Sequence, residues 1–100
     1  MIRNENHRRY QKILAKHKRE LKEKYGVKEI AIFGSFVRGE AKEDSDLDIL
    51  VEFDEVPDLL KFIELEEYIE SLLGIKVDLV RKSVIRKEIK DQVMKDIAII

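Results

Sequence analysis

Apolar residues recur at helical spacing near the start of the chain. Tyr10, Ile13, Leu14, His17 and Leu21 fall on one stripe, and Gly26 closes the run. The pattern predicts one amphipathic helix over residues 6–25. Val27 to Phe33 follows as a short β-rich run, stopped by Gly34. From Leu47 to Phe53 apolar and polar residues alternate almost strictly, which predicts a strand with one covered face. Pro57-Asp58 then opens a helix with Asp58 as its N-cap. Leu59, Phe62, Ile63, Leu65, Ile69 and Leu73 are its expected buried positions, and Gly74 ends it. Ile75 to Val80 reads as a third strand, and Ser83 opens a last helix with Ile85, Ile89, Val93 and Ile97 on one stripe.

The predicted order is α-β-α-β-α-β-α, the second helix being a short turn after Gly34. The fold class is α/β in the α+β sense, with a small mixed three-stranded sheet flanked by helices. A full helix separates the second and third strands, which suits a parallel crossover. The polar segment 34–46 is shorter. Antiparallel pairing of the first two strands would bring its two ends together.

With 100 residues, one domain and one modest core are expected. Residues 1–26 are expected to form its N-terminal helix and 27–100 the core that carries any site. The chain has no Cys, so disulfides and thiolate metal sites are excluded. No apolar run suggests a membrane span and no signal-peptide pattern is present, so a cytoplasmic protein without a membrane role is expected. Lys and Glu dominate a 41% charged content, a bias seen in heat-adapted proteins. The net charge of −1 hides a segregation: +6 over residues 1–24, −11 over 40–78 and +3 over 79–100. The basic first helix reads most simply as a solvated face. Nucleic-acid binding there is the weaker reading, since it lacks the aromatic interleaving of a single-strand binder.

Chemistry concentrates in GSFVRGEAKEDSDLD, from Gly34 to Asp48. Gly34 lets the backbone approach a ligand closely. Ser35 offers an N–H and a hydroxyl at the start of a helical turn, where an anion is favoured. Arg38, one turn on, adds positive charge. Asp46 and Asp48 share a strand face opposite Leu47, Ile49, Val51 and Phe53. Asp78 lies opposite Ile75, Val77 and Leu79. If the apolar faces meet helices, all three aspartates emerge on the open face.

Carboxylates two apart on a strand lie roughly 6.6 Å from each other. At an effective dielectric near 20 they repel by about 2.5 kcal/mol, and by about 0.6 kcal/mol in bulk water. Lys42 is the only Lys or Arg between Glu40 and Glu55, so a hard divalent cation is the natural partner. Oxygen-only ligands favour Mg²⁺ or Mn²⁺ over Zn²⁺. Asp46, Asp48 and Asp78 are therefore the candidate metal ligands, and Gly34, Ser35 and Arg38 the candidate nucleotide-binding residues. Two ions about 3.5–4 Å apart would activate an attacking hydroxyl and stabilise the leaving phosphate. A Gly-Ser turn or a DxD alone is commonly only a turn or a solvated edge; the weight here lies in the conjunction.

The stretch GSFVRGEAKEDSDLDILVEF resembles the GSx10DxD signature of the DNA polymerase beta-like nucleotidyltransferase superfamily, and more closely its minimal prokaryotic members, the MNT proteins. VDLV around Asp78 is similar to that family's third carboxylate position. The likeness covers residues 27–100. It implies a nucleotidyltransferase fold and transfer of a nucleoside monophosphate from an NTP, releasing pyrophosphate. It implies that Asp46 and Asp48 bind both metals, and that Asp78 binds the catalytic metal and helps deprotonate the acceptor. Gly34 and Ser35 would hold the triphosphate. Phe36 stands where many members carry a polar or basic residue. Minimal members are often antitoxins paired with a HEPN-domain ribonuclease toxin, and some add AMP to a tyrosine of it. The expected activity is thus Mg²⁺-dependent transfer of AMP from ATP to a hydroxyl of a partner toxin. The alternative is a non-catalytic antitoxin that occludes its partner. Self-association is left open.

Overall fold

The computed structural model describes residues 4–38, 45–84, 91, 95 and 97–100, and for 4–7, 35, 38 and 84 the backbone alone. Helices α1 (Asn4–Lys16) and α2 (Lys18–Tyr25) precede strand β1 (Val27–Phe33). A single helical turn, α3 (Ser35–Arg38), follows, then β2 (Leu47–Phe53), α4 (Leu59–Leu73) and β3 (Val77–Arg81). A 3₁₀ turn (Lys82–Val84) and a short strand β4 (Ile97–Ile99) complete the described elements.

Strand alternation builds the core. Leu47, Ile49 and Val51 of β2 are fully buried, as are Ile30 and Ile32 of β1. They pack with Leu14, Leu21, Leu65 and Ile69 in one cluster that spans α1, α2, the sheet and α4. Burial of such a side chain contributes roughly 1.5–3 kcal/mol, so the helices hold the sheet's apolar face firmly. The pairing of β1 with β2 is antiparallel and that of β2 with β3 parallel, as the connection lengths imply.

The sheet departs from the expected three strands. Among the described residues it has four, in the order β3-β2-β1-β4. Ile97, expected on the last helix's stripe, instead pairs with Phe33 as part of β4, antiparallel to β1. The run Ile97-Ala98-Ile99-Ile100 carries no charge and three β-branched residues, which suits a strand on the free edge of β1. The expected helix positions Ile85, Ile89 and Val93 lie outside the described residues.

Three further boundaries differ. The first helix is broken at His17, whose φ of −105° and ψ of 8° leave the helical region. Its ring Nδ1 lies 2.9 Å from the Ile13 carbonyl oxygen, and its N–H turns to Leu14 O at 3.1 Å, so the turn tightens there. The third strand begins at Val77, two residues later than the apolar run suggests. In α4, Leu59 and Ile63 are exposed rather than buried. The helix is rotated onto Leu65, Ile69 and Leu73, which puts Ile63 about 120° from the stripe's centre at 100° per residue. The N-cap is as read: Asp58 Oδ1 accepts from the Lys61 N–H at 2.8 Å.

Among the described residues no helix is long and apolar enough to cross a membrane.

One long-range polar contact ties α2 to α4: the Tyr68 hydroxyl donates to the Glu20 carboxylate. That bond, then burial, pushes Tyr68 up to about 12 from its ordinary 10.0. The same bond, aided by Lys24, holds Glu20 below the usual carboxylate range. The phenol's contribution to stability should be whole below pH 10 and be lost as pH rises towards 12. The carboxylate's share is present above its ordinary 4.5 and lost on acidification below it. Tyrosinate absorbance should show one of the three tyrosines ionising late, and Glu20→Gln should return it towards 10.0.

Candidate active site

The site lies where β1 ends and β2 and β3 begin. Phe33, the last residue of β1, pairs with Asp48 on β2. Asp48 in turn pairs with Asp78 on the parallel strand β3. Two carboxylates therefore stand side by side in register, on the face opposite buried Leu47, Ile49, Val77 and Leu79. Asp48 is half-buried and Asp78 exposed. Asp46 is exposed, immediately before β2. The Leu47 N–H donates to Lys76 O at 2.9 Å and sets the start of both strands.

Gly34 is fitted under Asp48. Its φ is 80°, a left-handed conformation that side chains rarely adopt. A Cβ there would lie 3.3 Å from Asp48 Cγ and inside the contact radius of Asp48 Oδ2. The glycine thus serves a turn and a close approach at once. Ser35 then opens α3, and the Val37 N–H closes the turn on Gly34 O at 3.1 Å. The Ser35 and Arg38 side chains fall outside the described residues.

Phe36 reveals a role that the sequence pattern left unread. It is buried, and its ring meets Tyr10 of α1 edge-on at 6.0 Å. An apolar residue at this position anchors the α3 turn to the core. The signal was the apolar pair Phe36-Val37 inside a largely polar segment.

Two glutamates hold β3. The strand is at the sheet's edge, so its outward N–H groups need partners. Glu70 Oε2 of α4 accepts from Val77 N–H at 2.9 Å, and Glu66 Oε2 accepts from Leu79 N–H at 3.5 Å. Asp78 sits between these two rungs.

Among the described residues, no three His, Cys, Asp or Glu side chains are gathered closely enough to hold an ion. Asp48 and Asp78 make a pair, with Asp46 beside it. Charges on neighbouring strands about 4.8 Å apart repel by about 3.5 kcal/mol at an effective dielectric of 20 and by about 0.9 kcal/mol in water. Asp78 is exposed, which favours the lower figure. The donor set is all oxygen, and it fits a hard divalent cation.

A glycine turn against paired strand carboxylates is an arrangement suited to a metal-bound nucleotide. The family model of the nucleotidyltransferase domain matches residues 14–100. The chain belongs to that family. The protein adenylyltransferase MntA of Thermococcus cleftensis is 62% identical over 85 residues, covering 85% of this chain and 86% of the relative. A solved structure assigned as a minimal nucleotidyltransferase matches with a TM-score of 0.71 and 35% identity, covering 97% of this chain and 94% of that one. A toxin–antitoxin crystal structure with AMP-PNP matches with a TM-score of 0.69 and 27% identity, covering 85% of this chain and 69% of that one.

Two substitutions test the geometry. Gly34→Ala should cost about 1–2 kcal/mol for its left-handed backbone. By displacing Asp48 it should lower turnover about a hundredfold, as misplacements of about 1 Å do. Steady-state rates beside a thermal melt separate the two losses. Glu70→Ala leaves the Val77 N–H unpaired and should destabilise by about 1–3 kcal/mol, read from urea unfolding.

Proposed function

We propose that the chain is a protein adenylyltransferase that moves AMP from ATP onto a hydroxyl of a partner protein, a HEPN ribonuclease toxin, and neutralises it as antitoxin. The observation that carries this reading is the in-register Asp48–Asp78 pair, with the Asp48 carboxylate against Gly34. It stands in a chain 62% identical to a protein adenylyltransferase over most of both lengths. The solved toxin–antitoxin relative with an ATP analogue supports both the nucleotide and the kind of partner.

In the transfer, the acceptor oxygen attacks the α-phosphorus. The bond from that phosphorus to the bridging oxygen breaks, and pyrophosphate leaves. Gly34 and Ser35 hold the triphosphate by backbone N–H groups at the start of α3, and Arg38 adds charge. Asp48 and Asp78 would hold one Mg²⁺ ion, and Asp46, which stands apart from them here, would have to draw in from the start of β2 for a second; Mn²⁺ would substitute. When bound, such ions lower the triphosphate's charge and acidify the acceptor hydroxyl. Asp78, the more exposed of the paired carboxylates, would take the acceptor's proton. The whole chain acts as one domain, residues 1–26 bracing the catalytic core of 27–100. The cytoplasm is the compartment that supplies the ATP.

Intact-mass spectrometry tests this. The chain, the toxin encoded beside it, ATP and Mg²⁺ are incubated together, and the toxin should gain the mass of AMP. Loss of several kcal/mol of charge stabilisation corresponds to a fall on the order of a thousandfold, expected of Asp46→Asn/Asp48→Asn. An unmodified toxin that is still neutralised by that variant would falsify the enzyme reading in favour of simple occlusion.

A further inference from the structure

The exposed apolar side chains of the described residues are not scattered. Val56 is 60% exposed, Leu59 75%, Leu60 71% and Ile63 41%, all at the start of α4 and the loop before it. Ile99, on the edge strand β4, is the other. Contiguous exposed apolar surface of this kind marks an interaction site.

The patch borders two clefts. One, of about 260 Å³, is lined by Pro57, Leu59, Phe62 and Arg81. The other, of about 370 Å³, runs past Phe53, Val56, Arg81 and Lys82. Arg81 lines both. Its side chain is half-buried, and among the described residues it has no ion-pair partner. Lys82 reaches Glu52 at 3.8 Å. Glu52 lines the larger cleft too but is the residue that Lys82 reaches, so the Arg81 guanidinium is available to a carboxylate of a docked segment, which it can bind with two parallel hydrogen bonds.

We infer that this face docks an amphipathic segment of the acceptor protein, which sets apolar side chains against Val56, Leu59 and Leu60 and a carboxylate against Arg81. The inference rests on the adenylyltransferase reading for the identity of the partner. The face lies at the far ends of β2 and β3 from Asp48 and Asp78. A protein seated there leaves the nucleotide end of the sheet open.

Binding, not activity, is the primary test. In an Asp48→Asn background, titration calorimetry with the purified toxin encoded beside this chain should show tight association. Leu59→Ser/Leu60→Ser and, separately, Arg81→Gln should each weaken it at least tenfold, with unchanged circular dichroism. In the wild-type background the same changes should raise KM for the toxin and leave kcat within twofold. Unchanged binding in both variants overturns the proposal, as does a toxin that does not bind at all. Light scattering that shows a dimer dissociated by Leu59→Ser/Leu60→Ser, with toxin binding intact, also overturns it and gives the face to a second copy. Tight, patch-dependent binding without any AMP transfer upholds the docking face and removes the adenylyltransferase reading.

Discussion

Phe33 pairs with Asp48 across the antiparallel β1–β2 ladder, and the site depends on that register. It sets Gly34, the next residue, directly under the Asp48 carboxylate, where no side chain fits. It also sets the α3 turn beside that carboxylate. The parallel ladder then adds Asp78 at the same level on β3. A slip of one residue would turn Asp48 towards the helices and Leu47 or Ile49 towards solvent. Core and site therefore enforce each other. The burial of Ile49 is what keeps its neighbour Asp48 facing outward.

The periphery is built to hold that arrangement. Phe36 fastens the glycine turn to Tyr10. Glu66 and Glu70 occupy the edge N–H groups on either side of Asp78. These glutamates belong to a helix whose other face carries Leu65, Ile69 and Leu73 into the core. The helix thus couples apolar burial to the position of the Asp78 carboxylate. Repulsion between the paired aspartates works against folding, and burial of Leu47, Ile49, Val77 and Leu79 on the opposite face holds the two strands together against it.

Much of this was legible in the sequence because strands write their faces in alternate residues. Leu47, Asp48, Ile49 and Val51 could be assigned to faces from alternation alone, and connection length gave both pairing directions. Register was not legible: nothing in VDLV says that Asp78 lies opposite Asp48 rather than a neighbour. Contacts between distant residues were equally silent, as with Tyr68 and Glu20. The break at His17 was hidden because the apolar stripe continues across it to Leu21. Ile97 fits a helical stripe and a strand equally well, and the free edge of β1 decided between them. Leu59 and Ile63 misled for the opposite reason. Apolar character predicted burial, whereas α4 turns them outward.

That last departure bears on how so short a chain handles a macromolecular acceptor. The nucleotide chemistry proposed for this chain lies at the starts of β2 and β3 and the end of β1, where Phe33, Asp48 and Asp78 are in register. From Asp48 to Phe53 the strand advances five residues, about 16 Å at 3.3 Å each. The exposed start of α4 sits at the far end of that span, beside Phe53 and Arg81. Apolar residues kept out of the core at that place lower solubility without strengthening the fold. In the docking proposed above, contact with the acceptor's surface compensates for that exposure. Separating anchor from chemistry by one strand length lets the acceptor be held tightly while its hydroxyl still approaches and leaves the carboxylates freely.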